Sequence, residues 1–242
     1  MMKTTKTTVQ TIGSNMAKQK VTAFMDVYKN DPNARFRSYD HAHKAFKNNM
    51  YNGEVTNNEL AKELFVFLAS WGMLRNAFLM KKDYKFLIPV VEIVRDKKYE
   101  KLMDIEIFSL GQPGNLSKDE YIALILELKD KIKECFLGKT YWDKDKTSAG
   151  FVATVINRVS DTLIGKILLC VFGCIPAYDN NVKKAMKKLG ICASISQKGL
   201  EHLLDWCDKQ KAEIDDGKAV CNAVVDTGCY YPDMKVVDII FW

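Results

Sequence analysis

The sequence predicts an all-α protein, because apolar residues recur at helical spacing through most of the chain. Its 242 residues include only 5 prolines and 13 glycines, so long segments contain no residue that breaks a helix. Hydrophobic residues make up 48% of the chain, which is typical of a globular protein. A chain of this length forms one large domain or two lobes that share a cleft. We expect a two-lobed helical domain with a central cleft.

The expected lobes are joined by a linker at residues 109–117, where glycine and proline cluster. Residues 14–108 form the N-terminal lobe, and residues 118–242 form the C-terminal lobe. Residues 1–13 are polar and rich in threonine and lysine, which predicts a disordered tail. This segment lacks the apolar core of a signal peptide, and the apolar runs elsewhere are too short to span a bilayer. We therefore expect no membrane contact.

Five helices are predicted in the N-terminal lobe. The first spans residues 15–29, and the second begins at Tyr39. Thr56 and Glu59 have the spacing of a capping box in front of the third helix, which continues to Trp71. The remaining two are predicted at residues 83–95 and 97–108.

The C-terminal lobe begins with a second capping box, formed by Ser117 and Glu120, before a helix over residues 121–137. A polar loop is predicted at residues 139–147, and its two aromatic side chains either contact nucleic acid or fold inward. Further helices are predicted at residues 151–159, 163–172, 180–189, 197–213 and 218–225. The first two of these are expected to form a helical hairpin.

Charge and cysteine content limit the choice of partners and cofactors. A net charge of +6 is compatible with a nucleic-acid partner and does not require one. The seven cysteines include no C-x-x-C pair, so we expect free thiols, a cytoplasmic location and no metal or cluster. His41 and His43 do not share a helix face, which argues against a two-histidine metal site. No Walker, Rossmann or H-E-x-x-H motif is present, and no cofactor is expected.

The most specific chemical feature is Asp179, which lies between a tight apolar crossing and a basic helix over residues 180–189. One interpretation is an N-cap, because aspartate is among the best capping residues and suits the positive end of the helix dipole. The other is a catalytic carboxylate, whose position and charge a helix start would maintain. The residues around Asp179 bear on the choice between the two.

Residues 162–190 resemble the DNA glycosylase superfamily that has a helix-hairpin-helix and a catalytic aspartate. The family phrase A-F-G-x-P has its counterpart in Val171-Phe172-Gly173 and Ile175-Pro176. The phrase V-D-T-H-V corresponds to Tyr178-Asp179 with Val182, and the phrase R-L-G to Lys188-Leu189-Gly190. The resemblance implies a helix-hairpin-helix-like turn near residues 158–168 and places the catalytic aspartate at Asp179. The chain also resembles a group of uncharacterised bacterial proteins, through Leu68 to Met73 and Pro176 to Asp179, which implies no activity.

The hairpin departs from the family motif L-P-G-V-G-x-K-T-A, since the turn at residues 160–166 keeps a single glycine. Lys166 is a second catalytic candidate, but it lies several residues closer to the aspartate than the family's Schiff-base lysine. The resemblance therefore favours a monofunctional glycosylase. Such an enzyme hydrolyses the N-glycosidic bond of a damaged or modified base that is flipped out of double-stranded DNA. Asp179 would stabilise the oxocarbenium ion and orient the attacking water.

Further site residues follow from the same resemblance. Base stacking is assigned to Tyr178 and Trp71, and recognition to Tyr39, His41 and Arg75. DNA backbone contacts are assigned to Gly165, Lys166, Lys183 and Lys184. Three alternatives stay open: an antiviral-defence glycosylase that acts on hypermodified phage bases, a non-catalytic DNA-binding module of the same fold, and a helical interaction scaffold in which Asp179 is only a cap. The oligomeric state is left open.

Overall fold

The computed structural model describes residues 13–51, 53–75 and 77–242. The predicted tail lies outside these residues, apart from Gly13. The described parts are mostly helical, with a single antiparallel two-stranded sheet among them, which confirms the all-α prediction. The α-helices are α1 (Ser14–Asn30), α2 (Arg37–Asn49), α3 (Asn57–Ser70), α4 (Ile88–Val94), α5 (Lys118–Phe136), α6 (Asp161–Phe172), α7 (Asn180–Lys188), α8 (Gln197–Lys209), α9 (Lys211–Val224) and α10 (Asp233–Phe241). The strands are β1 (Thr140–Lys144) and β2 (Phe151–Val155).

Both predicted capping boxes are confirmed. The Thr56 hydroxyl accepts a hydrogen bond from the Glu59 amide at 3.2 Å, and the Glu59 carboxylate accepts one from the Thr56 amide at 2.8 Å. Ser117 and Glu120 make the same reciprocal pair in front of α5, at 3.2 and 2.8 Å. Each box satisfies two amides that have no partner inside their helix.

Two predicted helices of the N-terminal half are replaced by shorter elements. Pro89 lies in the first turn of α4, where a proline has no amide to lose, so the predicted helix at 83–95 begins late. The segment 97–108 forms two 3₁₀ helices instead of one α-helix. The 3₁₀ helices are Phe78–Lys81, Tyr84–Leu87, Lys97–Leu102 and Ile107–Ser109.

The predicted helix at 151–159 is wrong, because these residues supply β2 of an antiparallel hairpin with β1. The stretch Phe151-Val152-Ala153-Thr154-Val155 is rich in β-branched and aromatic side chains, which favour the extended conformation. A helix-hairpin-helix turn near 158–168 is therefore absent from this described region. Residues 156–160 run directly into α6, where the Ser160 hydroxyl caps the helix by accepting from the Leu163 amide at 3.2 Å.

Helix α6 lies in the centre of the fold, since its residues from Leu163 to Phe172 are all buried. It packs against α2, α3 and α5. An all-round apolar surface is typical of a helix in such a position. The helix ends at Gly173, whose left-handed conformation (φ 66°) glycine adopts without strain. Residues 174–178 then form the crossing that leads to α7.

Helix α10 is also buried along its whole length, and it packs against α1, α7 and α9. Three of its residues are charged: Asp233, Lys235 and Asp238. Buried charges require partners, so this helix brings ionic contacts into the core. No helix of the described residues has both the length and the apolar character needed to cross a membrane. The two lobes, the linker at 109–117 and the central cleft stay predictions.

Candidate active site

Asp179 caps helix α7 with one of its two carboxylate oxygens. Its Oδ1 accepts hydrogen bonds from the amides of Asn181 (3.0 Å) and Val182 (3.1 Å). Asp179 is therefore the N-cap of α7, as the first interpretation predicts. The side chain remains 20% exposed, and Oδ2 takes no part in the cap. The second oxygen is thus available for another role.

That oxygen faces the amine of Lys166, which lies on α6. The Lys166 Nζ is 3.4 Å from Asp179 Oδ2 and 5.0 Å from the centre of the Trp71 ring. Only 4% of the lysine side chain is exposed. Burial lowers the pKa of Lys166, while the charges of Asp238 and Asp179 act in the opposite direction. A buried ammonium with a carboxylate partner is a common arrangement at functional sites and also occurs in purely structural ion pairs.

The approach of the two side chains depends on Gly165. A Cβ atom at this position would lie 2.7 Å from the carbonyl oxygen of Ala177 and 3.1 Å from that of Pro176. Only glycine lets the crossing pack this closely on α6, and the crossing carries Asp179 to Lys166. The predicted contact of Gly165 with a DNA phosphate is wrong, because the residue is buried against the crossing.

A second buried lysine and aspartate lie beside the first pair. The Lys235 Nζ is 3.4 Å from Asp238 Oδ2 and 5.7 Å from the Trp71 ring centre. Asp238 Oδ1 accepts a hydrogen bond from the amide of Ala177 at 2.8 Å. Asp238 therefore holds the backbone of the crossing in place, and its negative charge offsets part of the positive charge of the two lysines. We call Lys166, Asp179, Lys235 and Asp238 the charge cluster. Its formal charges sum to zero, as buried charges require.

Sequence reasoning missed Lys235 and Asp238. A signal was present, because these are two charged residues three positions apart within the apolar stretch Met234 to Phe241. Lysine and aspartate are almost never fully buried without a partner. An apolar helix that contains both types at i and i+3 therefore indicates an internal ion pair.

Trp71 forms an aromatic wall beside the charge cluster. Its ring stacks with Phe36 at 6.0 Å, and its Nε1 donates to the Ser38 hydroxyl at 3.1 Å. The exposed guanidinium of Arg35 lies 5.1 Å from the Trp71 ring and 5.6 Å from the Trp242 ring. This cation–π layer covers the aromatic wall from the solvent side.

The other predicted recognition residues are dispersed. Tyr178 and Tyr39 are fully buried, so neither offers a surface on which a base from solvent could stack, and both assignments are wrong. Tyr178 adopts a left-handed conformation (φ 50°) in the crossing, and burial raises the pKa of its hydroxyl. His41 and Arg75 are exposed, and His41 lines a pocket of about 280 Å³ with Arg35.

Two predicted DNA-backbone residues lie on α7. The Lys183 Nζ donates to the Thr162 hydroxyl at 3.2 Å, which ties α7 to the start of α6. Lys184 is exposed and lines a pocket of about 350 Å³ together with Trp242 and with Asn181, which follows the capping residue by two positions. The basic side of α7 therefore adjoins the charge cluster.

The cysteines are free thiols, as the sequence predicts. Five of them are buried. Within the described residues, no group of three or more histidine, cysteine, aspartate or glutamate side chains is placed to hold a metal ion.

Comparison with family models, with curated proteins and with solved structures finds no match to this chain. The resemblance to helix-hairpin-helix glycosylases therefore rests on the residues of the crossing alone. What it implies about activity stays a prediction.

Proposed function

We propose that this protein is a DNA glycosylase-like hydrolase that releases a damaged or modified base from DNA. The observation that carries the proposal is the pairing of Lys166 with Asp179 at 3.4 Å, at the rim of a buried charge cluster. Asp179 is partly exposed, while its partner is not. A carboxylate held in this way is positioned before substrate arrives, which is what electrostatic catalysis requires.

Release of a base leaves positive charge on the sugar. The bond between C1′ and the base nitrogen breaks, its electron pair leaves with the base, and water adds at C1′. Asp179 Oδ2 stabilises the cationic sugar and accepts the proton of the attacking water. Two amides of α7 hold Oδ1, so the carboxylate does not reorganise during the reaction.

The aromatic wall supplies a surface for the extruded base. Trp71, Phe36 and Trp242 lie together beside the charge cluster, and Arg35 covers them. A flipped base would displace the Arg35 guanidinium and stack in its place. The free thiols support action in the reducing cytoplasm.

A second candidate is attack by Lys166 itself, supported by the lowered pKa of this lysine. A neutral amine would form a bond to C1′ as the base leaves, and ring opening would give an imine. The burial of the amine beneath Trp71 favours water as the nucleophile instead. Treatment with borohydride distinguishes the two, because it reduces an imine to a stable protein–DNA cross-link and leaves a hydrolytic enzyme unlinked.

The deciding experiment compares wild type with Asp179→Asn on DNA that carries a panel of damaged and modified bases, with phage DNA included. Alkali-labile sites made by wild type and lost in the variant support the proposal. Lesion-independent DNA binding by both proteins, without base release, would favour a non-catalytic module. Retention of full activity in Asp179→Asn would exclude Asp179 as the catalytic carboxylate.

A further inference from the structure

The β1–β2 hairpin presents one of its faces to solvent. Its register places Trp142 opposite Ala153, Lys144 opposite Phe151 and Thr140 opposite Val155. Directly paired residues share one face of a sheet. We define this outer face by the following residues: Thr140, Trp142, Lys144, Phe151, Ala153 and Val155.

The outer face is unusually apolar for an exposed surface. Trp142 is 62% exposed, Phe151 is 66% exposed and Val155 is 53% exposed. Trp142 and Phe151 are diagonal neighbours across the two strands, which places their rings within reach of each other. Exposed apolar side chains that are contiguous, rather than scattered singly, mark an interaction surface.

The opposite face holds the hairpin against the protein. Tyr141 packs on the hydrophobic core, and Asp143 forms a salt bridge with Lys81 at 3.1 Å. At the base of the hairpin, the Ile156 amide donates to the Lys139 carbonyl at 2.8 Å. The orientation of the outer face is therefore fixed by contacts that do not involve its own side chains.

Lysine charge adjoins the outer face. Lys144 lies on this face, and Lys146 lies in the turn between the two strands. Asp143 lies on β1, and Asp145 lies next to the end of this strand. Both carboxylates are engaged. Asp143 binds Lys81, and Asp145 accepts from the Thr147 amide and the Ser148 hydroxyl, each at 2.8 Å. The ammonium groups of Lys144 and Lys146 are complementary to a polyanion.

Exposed aromatic rings between lysines are the combination that binds unstacked nucleic acid, because bases stack on the rings and phosphates pair with the ammonium groups. We propose that the outer face binds DNA at unpaired bases, with Trp142 and Phe151 as stacking platforms and Lys144 and Lys146 on the phosphates. This inference rests on the proposed function, since it takes DNA as the partner. It adds a contact surface outside the charge cluster.

The test measures binding of three labelled DNAs by fluorescence anisotropy: a single strand, a matched duplex, and a duplex with one unpaired base. Trp142→Ala and Phe151→Ala are each expected to weaken binding to the first and third by about tenfold. Binding to the matched duplex is expected to change less. Lys144→Gln should weaken all three and lower the slope of log affinity against log salt by about one.

Val66→Ala is the matched control, because Val66 is a 58% exposed apolar residue on α3. It should bind all three DNAs as wild type does. Thermal unfolding of each hairpin variant checks the fold, and its midpoint should be unchanged because the replaced side chains are exposed. Equal affinities of Trp142→Ala, Phe151→Ala and wild type for the single strand would overturn the proposal.

Base release, measured in single turnover at saturating DNA, separates this inference from the proposed function. Normal release by the hairpin variants with weakened binding supports both. DNA binding that the hairpin variants weaken, without any base release, supports the outer face as a DNA-binding surface and contradicts the glycosylase activity. Base release with DNA binding that the hairpin variants leave unchanged supports the glycosylase activity and contradicts the outer face as a DNA-binding surface. If wild type binds no DNA and self-associates through Trp142 in sedimentation experiments, the outer face is an interface between copies and the proposal fails.

Discussion

Lys166 on α6 and Asp179 at the start of α7 meet across the crossing, with Nζ 3.4 Å from Oδ2. The aspartate divides its two oxygens between a helix cap and this lysine. Its capping and its catalytic interpretation are therefore compatible, and a variant must separate them.

Asp179→Ser separates the two roles, because serine caps a helix about as well as aspartate but has no carboxylate. We expect the free energy of unfolding to fall by only about 1–2 kcal/mol, since α7 stays capped and Lys166 loses one partner. On the proposed mechanism, base release should fall about 100-fold or more, because the carboxylate proposed to stabilise the sugar cation is gone. Urea unfolding and alkali cleavage of substrate DNA measure the two effects.

Ser196→Ala is the control for the loss of a cap, since the Ser196 hydroxyl caps α8 by accepting from the Gly199 amide at 3.2 Å. It should cost about 1 kcal/mol of stability and leave base release unchanged. If Asp179→Ser releases bases as fast as wild type, the carboxylate acts only as a cap.

Lys166→Met tests the cost of burying the ammonium. Methionine fills a similar volume without charge, but it leaves Asp179 without its ion-pair partner and the charge cluster with a net negative charge. At pH 7.5 we therefore expect the variant to lose about 1–3 kcal/mol of unfolding free energy. The folded-state pKa of Lys166 lies below that of the unfolded chain, so the folded protein binds fewer protons between these two values. Wild type therefore gains stability relative to the variant as pH rises towards 10.5.

Urea unfolding of both proteins at pH 7.5 and pH 9.5 provides the comparison. The difference in unfolding free energy, variant minus wild type, should be more negative at pH 9.5 than at pH 7.5. A difference that stays constant or becomes less negative would show that the buried amine is not destabilised by its surroundings.

Much of the helical framework was predictable, because caps and apolar periodicity are local signals. The boxes at Thr56 and Ser117 formed as the pattern indicates. The hairpin was missed because β2 is short and follows a polar stretch, so its β-branched residues were assigned to a helix. Strand pairing is non-local, and no single window of sequence contains it.

The site was predicted only in part, for the same reason. Asp179 was recognisable from its place before a basic helix, and its partner Lys166 was a candidate from the resemblance. The distance between them depends on Gly165 against Ala177, which is a tertiary contact. Asp238 belongs to the site through a hydrogen bond from the Ala177 amide, and the two residues lie far apart in sequence. Composition carries no information about that pairing.

The carboxyl of Asp233 is predicted to make stability fall as pH rises. Burial and the charge of Glu106 raise its pKa to about 6, and Lys218 opposes this shift only in part. The folded state holds a proton that the unfolded chain releases at lower pH, so stability is greatest below the unfolded pKa and is lost as pH rises through about 6. We expect a loss of about 1–3 kcal/mol between pH 4 and 6.5.

Asp233→Asn removes this proton exchange while keeping a side chain of the same shape. The Lys218 amine retains Glu106 as a partner in the variant. The loss of stability over this pH range should be smaller in Asp233→Asn than in wild type, as measured by urea unfolding at several pH values. Parallel pH profiles of the two proteins would contradict the assignment of the proton to Asp233.

Gly165→Ala should disturb the core and the site together. The added methyl group would meet the Ala177 carbonyl oxygen at 2.7 Å, and a backbone atom cannot move aside as a flexible side chain does. We expect a loss of about 3 kcal/mol in unfolding free energy, in the range of other overpacked cores. The crossing must shift away from α6, so Asp179 moves relative to Lys166, and base release should fall even at temperatures where the variant is fully folded.

Gly13→Ala is the control, since nothing lies within 4 Å of a Cβ at that position. Calorimetry and single-turnover base release test the two effects, and a Gly165→Ala variant that is destabilised yet fully active would show that activity does not depend on the distance between Lys166 and Asp179.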